Sequence, residues 1–151
     1  MDAIRIITRR YSFEVVREAA HEYHPSVGSP QEAAIIARRV IGAELSEVMI
    51  ALMLDPRHKV MGYTEVARGT VNASRLTARD VFLPALLSNA AAVVVAHNHP
   101  SGDWSPSAAD HRVTRALREA GDLLGLPLLD HLIVTDSAHY SFRDTQGWLD
   151  E

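Results

Sequence analysis

The chain has no cysteine among its 151 residues. That excludes disulfides and any thiolate metal site, so a metal here must rest on His, Asp and Glu. No apolar run approaches the ~18 residues of a membrane span. The N-terminus "MDAIRIITRRYSF" lacks a charged, then apolar, then small-residue leader pattern. The expected location is therefore the cytoplasm, with no membrane partner. There is no internal repeat, low-complexity tract or charge block. The formal net charge is −4, with a pI near 6.0. No overall basic field points to nucleic acid, and the arginine pairs in "ITRRY" and "ARRV" read as solvated faces.

What is present is an ordinary globular composition, 47% apolar and 23% charged. That length and balance suit one domain with a real core. "HPSVGSP" (24–30) clusters Pro and Gly and reads as a loop. It divides an N-terminal strand or arm, residues 1–28, from the main domain, residues 29–151. "SPQEAAIIARRVIGA" reads as a helix capped by Ser29, with Pro30 first and Glu32 completing a capping box. Ile35, Ile36, Val40 and Ile41 form its expected buried stripe.

Apolar strands are expected at 47–54, 60–67, 91–97 and 126–136, with an edge strand at 139–142. "TARDVFLPALLSNA" is helical behind a Thr77/Asp80 capping box, and Pro84 predicts a kink or a short first segment. "SAADHRVTRALREAG" starts a helix at Ser107 and stops it at Gly121. Helices alternating with apolar strands give an α/β domain with a mixed sheet flanked by helices. An uncovered edge strand leaves a homodimer open.

The chemistry concentrates in "VVVAHNHPSGDWSPSAADHRVTRAL" (93–117). His97 and His99 are two apart on an extended chain, so both rings project to one face. A reversal rich in Pro and Gly follows, then a helix whose third position is Asp110. Two His and one Asp supply three protein ligands and leave a fourth tetrahedral position for water. The same residues also fit plain strand and helix ends, with Ser107 and Asp110 as an ordinary capping box. The literal "HNH" is not evidence of a nuclease, whose signature residues spread over tens of positions.

His97-x-His99, seven residues, then Ser107-x-x-Asp110 resembles the JAMM (MPN-plus, JAB domain) metalloprotease motif in every spaced position. "AHNHPSGD", "PSAAD", "LLDHLIV" and "RGTVNAS" resemble the RadC-like branch of that family. The resemblance runs from about Ser29 to Phe142, as a short form without the branch's helix-hairpin-helix region. It implies an MPN/JAB-like fold and one zinc ion held by His97, His99 and Asp110. It implies a bound water as nucleophile, Ser107 as donor to the oxyanion and an upstream glutamate as general base. Glu47 matches that glutamate best, with Glu44 and Glu65 as alternatives. The implied substrate is a peptide or isopeptide. The branch's association with DNA repair gives a second reading, an accessory protein of DNA metabolism, which the acidic charge does not favour.

Other residues are weighed against this site. Asp130-His131 reads first as a satisfied polar pair packing the fold, and second as an outer support in which Asp130 holds a ligand histidine in one tautomer. Trp104 either contacts substrate or packs its loop. Gly69 suits a tight turn or close backbone approach within a candidate cleft wall, 68–74. Nothing near His21 and His24 completes a second site. His58, His111 and His139 read as surface or loop residues.

Overall fold

In the computed structural model, residues 25–69 and 76–146 are described. Most of the expected N-terminal arm (residues 1–24, with His21 and His24) and most of 68–74 lie outside them. Five strands form one mixed sheet in the order β2-β1-β3-β4-β5. They are β1 (Val48–Leu54), β2 (Val60–Arg68), β3 (Ala92–Asn98), β4 (Leu128–Val134) and β5 (His139–Ser141). Only β3 and β4 run parallel; the other neighbours are antiparallel. The mixed α/β sheet read from the alternating pattern is the observed one. Among the described residues no helix is long and apolar enough to cross a membrane.

The two faces of the sheet follow from the alternation of side chains along each strand. Val48, Ile50, Leu52 and Leu54 of β1 join Val94 and Ala96 of β3 and Leu132 and Val134 of β4 in one cluster, under helix α1 (Pro30–Ile41). Met49, Ala51, Val93 and Val95 face the opposite way. They pack on α2 (Ala78–Leu87) and α3 (Ala108–Leu124) through Val81, Phe82, Val113 and Leu117. Strands β1 and β3 are thus covered on both faces, as near-continuous apolar runs require.

Helix α1 corrects the expected stripe. Its buried residues are Ala33, Ala34, Ala37 and Ile41, whereas Ile36 and Val40 are half-buried and Ile35 is 50% exposed. Small side chains let the helix approach the sheet, and the bulky ones flank the contact. Ser29 Oγ accepts from Glu32 N–H, but the Glu32 carboxylate accepts from Gly28 N–H, one residue earlier than a capping box needs. The preceding segment also joins the body. Ser26 bridges to Lys59, and Val27 N–H donates to the His58 carbonyl.

Three further expectations change. Helix α2 has no short first segment: it continues past Pro84 to Leu87 and buries Val81, Phe82 and Ala85. Helix α3 does not stop at Gly121. That glycine is buried inside the helix, where an added Cβ would lie 2.7 Å from the Leu126 carbonyl oxygen and 3.1 Å from the Phe82 ring. The terminator is Gly125, with φ of 65°. The edge strand ends at Ser141, and a short helix, α4 (Phe142–Gln146), follows. Buried Asp130 makes that turn by accepting from the Ser141 hydroxyl and the Arg143 N–H, while Ser141 Oγ accepts from Asp144 N–H.

Candidate metal centre

The site forms where β1, β3 and α3 meet at one end of the sheet. His97 lies on β3 with the parity of Val93 and Val95, so its ring faces α3. Asn98 has the opposite parity and points to the α1 side. Met49 pairs with His97 across β1 and β3, and continuing that antiparallel register by two residues sets Glu47 opposite His99. The chain then reverses. Gly102, with φ of 83°, donates its N–H to the His99 carbonyl at 3.0 Å. Asp103 and Ser105 complete the loop, and α3 begins behind Ser107 with Asp110 in its first turn.

One ligand-type atom from each of Glu47, His97, His99 and Asp110 lies within 4.8 Å of all the others. His97 Nε2 is 3.0 Å from His99 Nε2, 3.3 Å from Asp110 Oδ1 and 3.7 Å from Glu47 Oε1. His99 Nε2 is 3.8 Å from Asp110 Oδ2. Nitrogen and oxygen donors around a tetrahedral ion at ~2.0–2.1 Å stand roughly 3.3 Å apart, so these spacings fit the edges of such a shell. The donor chemistry fits as well. His99 Nδ1 faces the Asp103 carbonyl at 2.6 Å. A carbonyl only accepts, so that nitrogen carries the proton and His99 Nε2 is left a lone pair. The group can therefore hold a metal ion. His97 and Asp110 are fully or nearly fully buried, whereas the side chains of Glu47 and His99 keep 23% and 16% exposure. The cluster thus has a closed back and an open front, lined by Glu47, His99, Pro100, Ser101, Asp103 and Ser105.

The helix cap and the cluster share the one Asp110 carboxylate. Oδ2 accepts from both the N–H and the hydroxyl of Ser107, each at 2.7 Å, while Oδ1 is the oxygen nearer His97. Burial alone would raise this carboxyl. The hydrogen bond to and charge of His97, with the two donors of Ser107, instead hold it far below the usual carboxylate range.

The profile of the RadC-like JAB domain family matches residues 27–148, most of the chain. The chain belongs to this family.

The UPF0758 proteins of Halorhodospira halophila and Burkholderia mallei are each 40% identical to this RadC-like chain, over 95% and 97% of it. That of Trichlorobacter lovleyi is 46% identical over 66% of it. The chain spans 62%, 51% and 43% of those relatives' lengths respectively.

Within the RadC-like domain the remaining glutamates separate cleanly. Glu44 and Glu65 both bind Arg68, at 2.8 Å each, and that hydrogen bonding lowers both carboxyls. Neither is part of the cluster; Glu47 is. Gly69, with φ of 90°, donates its N–H to the Glu47 carbonyl, which ties the end of β2 to the residue that carries the cluster's carboxylate. The Trp104 ring packs 6.2 Å from Tyr140 and stays 47% exposed. His58 is an exposed loop residue. His111 lies instead on α3, edge-on to Phe142 at 5.2 Å, and His139 on β5; both are half-buried.

Two contributions escaped the sequence reading. Asn98 is buried and hydrogen-bonds the backbone of the segment that carries Glu47. His131 does not merely pack with Asp130. Its Nε2 is 2.9 Å from His97 Nδ1, and its Nδ1 is 2.6 Å from Thr114 Oγ1. Burial pushes His131 well below the usual histidine range, and the charge of His97 adds to this. The clue available beforehand was parity: His131 shares a face with Ile133, not with Leu132.

Proposed function

We propose that this chain is a zinc-dependent hydrolase of the JAMM type that cleaves an amide or isopeptide bond. One observation carries the reading. Two imidazole nitrogens and two carboxylates converge at the open end of a buried sheet, with a closed back and a reachable front. His97, His99 and Asp110 would hold the ion. When bound, zinc supplies Lewis acidity that brings the pKa of a coordinated water to about 7.

Glu47 is the general base. It is the one carboxylate of the cluster free of the helix cap, and it stands on the open side. It takes a proton from the attacking water and delivers it to the departing amine. Ser107 is the donor to the oxyanion. Its hydroxyl donates to Asp110 Oδ2 in this structure, so the role requires that hydroxyl to turn toward the substrate carbonyl. The buried back of the site keeps His97 and Asp110 out of solvent contact, which strengthens the charges that act there.

The test is elemental analysis of protein purified without added zinc, beside His97→Ala and Asp110→Ala. About one zinc per chain, lost in both variants, is expected. Zinc absent from the wild type, or retained in both variants, would overturn the reading.

A further inference from the structure

His131 stands behind the cluster and reaches it through His97. The protons in this row can be placed from its far end. The Thr114 hydroxyl is 2.7 Å from the backbone carbonyl oxygen of Asp110, one turn earlier on α3. A carbonyl oxygen only accepts, so the hydroxyl hydrogen points there. The hydroxyl has no second hydrogen. Toward His131 Nδ1, at 2.6 Å, it must therefore accept, and that nitrogen carries the proton.

His131 is fully buried, and both its ring nitrogens are engaged, one by Thr114 and one by His97. A buried imidazole with no carboxylate on its ring is neutral and has a single N–H. Its Nε2 is then the acceptor in the 2.9 Å contact with His97, and the shared hydrogen belongs to His97 Nδ1. With its proton fixed on Nδ1, a neutral His97 presents Nε2 as a lone pair toward Glu47, His99 and Asp110, as ligation requires. The ring of His131 is held in plane by Phe142, stacked at 4.7 Å and 11°.

We infer that His131 and Thr114 are positioning residues that fix His97 in the tautomer able to ligate through Nε2. The inference rests on the metal reading above and assigns work to residues outside the ligand set. A histidine with nothing at Nδ1 is free to carry its proton on Nε2, where it blocks ligation. Ligand histidines usually hand the other N–H to a carboxylate, a backbone carbonyl or water. Here the acceptor is a second histidine, which accepts at Nε2 only because Thr114 takes its Nδ1 proton. The row begins at the Asp110 backbone and ends at the His97 ring, so it ties two of the proposed ligands to each other.

The test uses the full chain. Nitrogen-15 NMR of the histidines, recorded with zinc removed, reports whether His97 Nδ1 is protonated. Competition with a chromophoric chelator reports zinc affinity. His131→Phe keeps a ring against Phe142 but removes the acceptor, and Thr114→Val removes the hydroxyl while keeping the side-chain shape. Both are expected to weaken zinc binding by roughly 10–100-fold, with Thr114→Ser returning to within about threefold of the wild type. The wild-type His97 is expected to be protonated at Nδ1.

An unprotonated His97 Nδ1 in the wild type, or unchanged zinc affinity in both variants, would overturn the inference. If His131→Phe does not fold, the Thr114→Val and Thr114→Ser pair decides. A wild type that binds no zinc at all sinks the hydrolase reading instead, and the His97 signal in that same protein still decides the relay.

Discussion

The amide of Asn98 brackets Glu47. Its Oδ1 accepts from the Val48 N–H at 2.7 Å, and its Nδ2 donates to the carbonyls of Ser46 at 3.0 Å and Glu44 at 3.2 Å. The middle residue of His97-Asn98-His99 thus works through the opposite face of the sheet. Removing it as Asn98→Ala strands one backbone donor and two acceptors beside Glu47. We expect a loss of about 2–4 kcal/mol in denaturant unfolding. The hydrolytic rate should fall at least tenfold with zinc content unchanged. A full rate at full zinc content would show that the bracket does not matter to Glu47.

Glu47→Gln separates base from ligand. Zinc content should hold while the rate falls by about 100-fold or more. Glu44→Gln and Glu65→Gln should leave the rate within about threefold, because Arg68 already engages both carboxylates. A dead Glu44→Gln beside an active Glu47→Gln would reverse the assignment.

How far the sequence reaches can be judged from particular residues. The cluster was legible, because motif spacing and strand parity are both local: His97 and His99 need only an extended chain, and Asp110 only a helix start. Glu47 was the best match by resemblance, but what separates it physically from Glu44 and Glu65 was not legible. It depends on the β1–β2 pairing that delivers Arg68 to two of them, which is a long-range fact. His131 was misjudged for a similar reason. Its neighbour Asp130 looked like its partner, yet adjacent strand residues point to opposite faces. Asp130 turns to Ser141 and the Arg143 backbone, and the ring of His131 turns to His97. Gly121 misled because a buried glycine in close contact and a terminal glycine look alike in sequence. The alanine face of α1 was hidden by the larger isoleucines beside it.

Ser107→Ala tests a residue with two readings. The helix loses a cap, at a cost of about 1 kcal/mol. If Ser107 donates to the oxyanion, the rate should also fall about 100-fold or more at saturating zinc. A rate that falls only in step with zinc content would confine Ser107 to holding Asp110.

Asp130 sets a pH dependence. Burial raises its carboxyl to about 6, against the opposing hydrogen bonds of Ser141, Arg143 and His131. The folded state therefore binds this proton more tightly than the unfolded chain does. The associated stability is present below about pH 4 and is lost as pH rises through about 6. Asp130→Asn removes that titration while its amide can still serve the same three neighbours. In chelator, the wild type should lose up to about 3 kcal/mol relative to Asp130→Asn between pH 4 and pH 8. A stability difference independent of pH would refute the raised carboxyl.

The double use of the Asp110 carboxylate has a consequence for how an ion would be kept or released. Oδ2 closes the first turn of α3 while standing 3.8 Å from His99 Nε2, and Oδ1 lies 3.3 Å from His97 Nε2. Fraying of that turn and opening of the site are then a single event. Retention becomes a property of helix-end dynamics, so anything that braces or loosens the start of α3 changes how long an ion stays, without touching a ligand.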